Sequence, residues 1–308
     1  MTTTKINVYD MVGKQILEIM NSGIIPWQQP WIGTDAYMNY NTGKPYSLVN
    51  QLLLFSQQQG IVKETGADPA DFTGKFLTFK QITACGGKVK KGAKSCKVIF
   101  WNIFNKNSQT GKALKTAAEI QAARDNGTLE TIPTLRYYNV FDLCQTDGIA
   151  YEKVNHGFRY DRTADELIND YTTANNIEVI SNPDTIRACY SPTRDRIEIP
   201  RVERFACLEE YYGTLFHEAV HSTGKDTRLN RLHKTAAFGN EEYSKEELVA
   251  EIGSAALLNM VGLSTEQTTE NSAAYIQSWS RFIRENTRAF VSACGQADKA
   301  VEFIKNFS

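Results

Sequence analysis

The sequence predicts an α+β protein of two domains, residues 1–150 and 151–308, and three observations carry that reading. A chain of 308 residues is longer than a single hydrophobic core usually supports. Both halves mix stretches of helical apolar period with short runs of strand character. Charge is divided between them: residues 1–150 hold 16 Lys and Arg against 11 Asp and Glu, a balance of +5, which leaves 18 against 24, or −6, for the rest. With 42% apolar and 11% aromatic residues, both cores can be filled. No window approaches the roughly 18 apolar residues of a membrane span. Met1 to Asn7 lack the charged and apolar regions of a secretion signal, so a cytoplasmic location is expected. The cysteines form no C-x-x-C pair, which argues against a cysteine-held zinc and against a disulfide framework.

Apolar residues from Val8 to Met20 keep a helical period that stops at Asn21-Ser22-Gly23, so a helix opens the chain. Pro26 and Pro30 exclude a regular helix next and set Trp27 and Trp31 four apart in an extended segment, with Tyr37, Tyr40 and Tyr46 following. Leu48–Gln59 reads as a second helix, and Phe76–Ile82 as a strand or the start of a helix. Gly86–Lys94 is a glycine-punctuated basic loop leading into the strand Val98–Trp101. From Phe72 to Ala118 there are ten lysines and no acidic residue, a one-sidedness that points to a polyanionic partner. Glycines let backbone amides approach phosphate, lysines replace its counterions, and aromatic faces accept unstacked bases. That combination fits a single strand better than a duplex. No Walker pattern is present. Asn105–Thr131 is polar and is expected to be a long mobile excursion, after which Leu135–Cys144 completes the sheet and the domain boundary falls near Gly148–Gly157.

The second half opens with a helix over Thr163–Asn175, then strands near Ile186–Tyr190 and Arg196–Ile199 joined by the turn Ser191–Asp195. A helix from Cys207 to Ser222, stopped at Gly224, carries His217-Glu218-Ala219-Val220-His221. Residues four apart share one helix face, so His217 and His221 can hold a single Zn²⁺ or another divalent metal, with Glu218 beside it as general base toward water. The strand before this helix is an edge along which a peptide could lie. Further helices are expected from Ser244, over Tyr275–Phe290 and over Asp298–Phe307.

A catalytic zinc usually takes three protein ligands. Glu247 is favoured as the third, with Glu251 one turn on accepting the free N–H of a ligating imidazole. A rival reading makes Ser244-x-x-Glu247 a capping box and Glu251 the ligand. Tyr190, Tyr243 or His233 could stabilise an oxyanion.

With these residues in view, the sequence resembles the ArdC antirestriction family of conjugative plasmids and related mobile elements. The resemblance rests on Pro26–Trp31, Tyr46–Asn50, Leu77–Gln81 with Gly87–Gly92, and Tyr138–Asp142 in the first half. In the second it rests on Tyr190–Pro200, His217–Gly224 with Arg228-Leu229, Glu246–Glu251 and Tyr275–Trp279. It implies an amino-terminal domain that binds single-stranded DNA, a zincin-like metallopeptidase domain after it, and protection of incoming DNA from restriction. The candidate DNA contacts are then Trp27, Trp31, Tyr46 and Trp101 as stacking faces, Lys80, Lys88, Lys90, Lys91 and Lys94 as phosphate contacts, and Asn50 from the family motif. Ser222 stands where the family is expected to carry tryptophan, and Asp142 where asparagine is expected. Two functions remain open: a zinc peptidase acting on an unknown protein substrate near single-stranded DNA, or a non-catalytic protein that shields DNA and whose metal site is structural or idle.

Overall fold

In the computed structural model, residues 7–28, 36–151, 163–181, 187–232, 241–263 and 273–307 are described. Asn7 caps the first helix, α1 (Val8–Met20), by accepting from the Tyr9 amide, and the helix turns Val12, Ile16 and Met20 into the interior. Pro26 then opens a single 3-10 turn, Pro26–Gln28, in place of the expected extended segment. Proline's fixed φ suits the first position of such a turn, where its missing amide is not needed.

Two short strands, β1 (Met38–Asn39) and β2 (Lys44–Pro45), precede α2 (Leu48–Thr65), which stops at the left-handed Gly66. The strand β3 (Lys75–Thr78) runs directly into α3 (Phe79–Ala84), because Thr78 and Gln81 form a reciprocal capping box at the junction. Phe76–Ile82 is therefore strand first and helix second. After β4 (Lys88–Val89) comes a long antiparallel ribbon of β5 (Cys96–Asn107) with its partner further on. Between the two lie β6 (Ala113–Leu114) and α4 (Ala117–Asp125), and β7 (Leu129–Asp142) returns in register from Leu129 opposite Asn107 to Val140 opposite Cys96.

The excursion expected over Asn105–Thr131 is thus regular structure. Thr116 and Glu119 cap α4 reciprocally, and β6 pairs with the end of β5. Its elements are half wet on every side, so no apolar stripe marks them in the sequence. The strand order is β2-β1-β3-β7-β5-β6. Part of the outer edge of β5 is closed by side chains of α2: Asn50 bonds both the N–H and the C=O of Ile99, and Gln57 does the same for Lys97. A last short strand, β8 (Thr146–Asp147), pairs with β4.

In the second half, Thr163 and Glu166 cap α5 (Ala164–Ala174). An unanticipated strand, β9 (Glu178–Ser181), follows and lies parallel to β11 (Arg196–Ile199), whose other neighbour is the antiparallel edge strand β10 (Cys189–Ser191). The remaining helices are α6 (Leu208–Thr223), α7 (Glu241–Met260), α8 (Ala273–Glu285) and α9 (Thr287–Lys305). The helix expected over Tyr275–Phe290 is broken at Asn286, and α9 runs unbroken through the start expected at Asp298. Among the described residues no helix is long and apolar enough to cross a membrane.

The largest core joins the two halves. Val12, Ile16, Trp27, Leu52 and Leu53 pack in one apolar cluster with Leu215, Val249, Phe290 and Ile304. A smaller cluster under the sheet holds Phe72, Phe76, Val98 and Val140. The segment expected to form the domain boundary, Gly148–Gly157, lies largely outside the described residues.

Candidate functional site

Position along α6 and α7 decides the metal centre. His217 and His221 stack on one face of α6, with ring centroids 4.7 Å apart and their Nε2 atoms 3.1 Å apart. Glu247 reaches them from α7, its two carboxylate oxygens 3.5 Å from His217 Nε2 and 3.7 Å from His221 Nε2. The helices approach closely because Gly253 faces Val220: a Cβ there would lie 2.9 Å from Val220 Cγ2. Among the described residues, His217, His221 and Glu247 form the group able to offer three ligand atoms to one metal ion.

The carboxylate that orients an imidazole is Glu246, not Glu251. Glu246 Oε1 lies 3.2 Å from His221 Nδ1, and Arg231 grips the same carboxylate through Nε and Nη2, each at 3.0 Å. Burial pushes the Glu246 carboxyl up, but His221 and Arg231 outweigh it and hold the group below its ordinary value. An ionised carboxylate only accepts, so His221 Nδ1 donates and Nε2 keeps its lone pair for a metal. Glu251, one turn beyond Glu247, interacts with the Tyr275 hydroxyl, and its charge acts on His217 without a hydrogen bond. Because α7 begins at Glu241, Ser244 is inside the helix and no capping box at Ser244 competes for Glu247.

Burial pulls the His217 imidazole down, but its bond to Glu247 and the charges of Glu251 and Glu218 raise it above its ordinary value. Glu247 is pushed up by burial and brought lower overall by His217, His221 and Tyr243. These opposite shifts come from imidazole–carboxylate attraction within one cluster, the kind of mutual perturbation that gathers at functional sites. Glu246→Gln is expected to weaken divalent-metal binding by about 10- to 100-fold, read by competition with a chelating dye. Unchanged affinity would mean that His221 needs no orienting partner.

Glu218 is buried, and its Oε2 accepts the Tyr190 N–H of β10 at 2.7 Å. The edge strand therefore holds the candidate base directly. The turn behind it is pinned to the end of α6: Arg228 Nη2 meets both oxygens of Asp195 at 2.7 Å, Lys225 Nζ meets Oδ2 at 2.7 Å, and Arg228 Nη1 donates to the Ser222 carbonyl. Asp195 has φ 51°, the left-handed conformation that this tight turn requires. Tyr190 and Tyr243 both line the cleft, the Tyr190 hydroxyl tied to Asp195 at 2.7 Å and the Tyr243 hydroxyl to Glu247. Burial, the Glu247 bond and nearby carboxylates push the Tyr243 phenol up to about 12. His233 lies outside the described residues. The cleft, of about 890 Å³, runs between β10 and α7 with Lys245 and Lys299 on its walls. Ser222 takes the Tyr171 hydroxyl at 2.7 Å, and Asp142 accepts from the amides of Thr73, Gly74 and Cys144; both are structural positions.

The candidate DNA contacts fare unevenly. Trp27 is 1% exposed, edge-on to Trp279 at 6.2 Å and 6.2 Å from Phe290, so its ring offers no face to a base. Asn50 is fully buried and its amide is spent on Ile99. Both belong to the interior. Trp31 lies outside the described residues. Tyr46 and Trp101 line one cleft with Phe100 and Tyr138, which sequence reasoning missed, but Tyr46 is only 8% exposed and packs against Phe76 at 6.4 Å, so it belongs to the core and Trp101 is the open ring of the two. Alternation along the ribbon was the available signal, since Val98 opposite Tyr138 puts Phe100 and Tyr138 on one face. Lys80, Lys88, Lys90, Lys91 and Lys94 are all exposed. Lys90 bonds the Cys144 carbonyl and Lys94 pairs with Glu64 at 2.8 Å.

Comparison with known proteins follows the same division. Residues 6–141 match the N-terminal domain of anti-restriction factor ArdC, and residues 164–296 match a zincin-like metallopeptidase. Two DNA primase TraC proteins of Escherichia coli are 28% and 27% identical over 100% and 97% of this chain, which spans only 28% and 20% of their lengths. The protein y4eC of Sinorhizobium fredii is 26% identical, with 98% of this chain and 92% of that one aligned. Crystal structures of the antirestriction ArdC protein from plasmid R388, metal-free and Mn(II)-bound, superpose with TM-scores of 0.72 and 0.71 at 28% and 27% identity, covering 98% of both chains.

Proposed function

The chain belongs to the ArdC antirestriction family, and we propose that it joins two activities: binding of single-stranded DNA by the amino-terminal half, and metal-dependent cleavage of peptide bonds by the other. The observation that carries the second is the convergence of His217, His221, Glu247 and Glu218 in a cleft walled by an edge strand. A zinc or similar divalent ion held by His217, His221 and Glu247 supplies a Lewis acid that polarises a carbonyl and acidifies water.

The chain's own residues do the rest. Glu218 takes the proton of the attacking water and returns it to the leaving amine. The Tyr190 N–H holds the carboxylate in place for both transfers. An extended substrate lies along β10, and Tyr243 on the opposite wall donates to the oxyanion once its hydroxyl turns from Glu247. In the first half, exposed lysines neutralise phosphate while Phe100, Trp101 and Tyr138 offer rings to bases.

Two measurements test this division. Chelation of the metal is expected to abolish peptide cleavage and leave single-strand affinity intact; loss of both together would overturn the separation of roles. Affinity should be higher for single strands than for duplex and fall steeply with salt. Replacing Lys88, Lys90 and Lys91 by alanine should make that salt slope shallower by about two to three. Equal affinity for the two forms, or an unchanged slope, would count against this assignment of the DNA-binding surface.

A further inference from the structure

Both halves of the chain line the cleft beside the ribbon. Its volume is about 630 Å³, with Phe100, Trp101 and Tyr138 contributed by β5 and β7, Tyr46 from just before α2, and Val291, Gly295 and Asp298 from α9. The rings step along it: Tyr46 to Phe100 at 6.2 Å, Phe100 to Tyr138 at 5.8 Å. Phe100, Trp101 and Tyr138 are 44%, 57% and 40% exposed, so their faces are open to a ligand. Asp298 Oδ1 accepts the Leu48 N–H at 2.8 Å, while its other oxygen accepts no hydrogen bond among the described residues. Thr78 and Gln81 add polar groups, and Lys44 is an exposed lysine on the lining.

We propose that this cleft is a nucleobase subsite that takes an unstacked base of single-stranded DNA and favours bases with an exocyclic amino group. The inference rests on the reading that this chain binds single-stranded DNA, and adds where a base goes and what selects it. Aromatic walls suit any base. A carboxylate inside the cleft repels phosphate, so the base enters and the backbone stays outside, within reach of Lys44. The same carboxylate accepts from the amino group of cytosine, adenine or guanine, whereas the one donor of thymine, its N3–H, is flanked by two carbonyl oxygens that a carboxylate repels. Burial pushes the Asp298 carboxyl up to about 6, and the Leu48 N–H works against that rise. Because α9 belongs to the metallopeptidase half, a base seated here touches both halves at once.

Gly295 provides the test. A Cβ at this position meets nothing within 4 Å, so a larger side chain grows into the cleft and not into the core. With the full chain and labelled oligo-dC and oligo-dT, fluorescence anisotropy at fixed salt is expected to show dC bound at least about fivefold tighter than dT. Asp298→Asn should bring that ratio close to one. Gly295→Phe should weaken both oligonucleotides by about tenfold with an unchanged melting temperature. A folded Gly295→Phe variant with wild-type affinity would show that no base occupies the cleft, and equal wild-type binding of dC and dT would remove the amino-group preference. If the wild-type chain bound neither oligonucleotide, the DNA-binding reading itself would fail and this inference with it.

Discussion

Glu218→Gln is expected to lower peptide cleavage by about 10²- to 10⁴-fold, the usual contribution of a positioned general base, without changing metal or DNA affinity. Glutamine keeps the size of the side chain and can still accept the Tyr190 N–H through its carbonyl oxygen, so the geometry at β10 is retained. It cannot take a proton from water. His217, His221 and Glu247 are left in place, and the ribbon cleft is lined by other residues. The variant therefore separates two biological readings. If protection of transferred DNA from restriction falls with peptide cleavage, the protein acts as an enzyme. Full protection by a variant that no longer cleaves would make it a DNA shield.

Trp27→Ala is expected to cost about 3–5 kcal/mol of stability, a large share of the 5–15 kcal/mol typical of a folded domain. The indole is 1% exposed and wedged between Trp279 and Phe290, so its removal opens a cavity where the two halves meet. Its Nε1 is buried without an acceptor among the described residues, as at a position kept for packing and not for polar contact. Urea or thermal unfolding measures the loss. DNA affinity per folded molecule should not change. A variant with native stability and weakened DNA binding would restore Trp27 to the stacking surface.

How far the sequence reached depended on the range of the signal. His217 and His221 were legible because helical spacing alone places them on one face, and Glu218 because it falls beside them in that motif. Glu247 was legible as a candidate, since a third ligand was required and few groups were available. Glu246 was not, because its role comes from Arg231 and from the close approach of α6 and α7, which Gly253 permits at Val220. Trp27 and Asn50 were misassigned for a related reason. A tryptophan beside two prolines looks the same in sequence whether it faces solvent or a core built from residues far along the chain. An asparagine that caps a strand edge likewise shows nothing of the strand it serves. The capping boxes at Thr78, Thr116 and Thr163 were local and readable, and the one at Thr116 would have revealed α4 inside the polar stretch.

The core that Trp27 helps to fill also bears on how such a protein is inherited. Recombination between the halves would leave α1 and the start of α2 without the helices they pack against, and would strip α7 and α9 of their cover. Selection should then move the pair as a single cassette. The likeness to TraC runs over 316 residues and takes in the whole of this chain, so both halves are found together there as well.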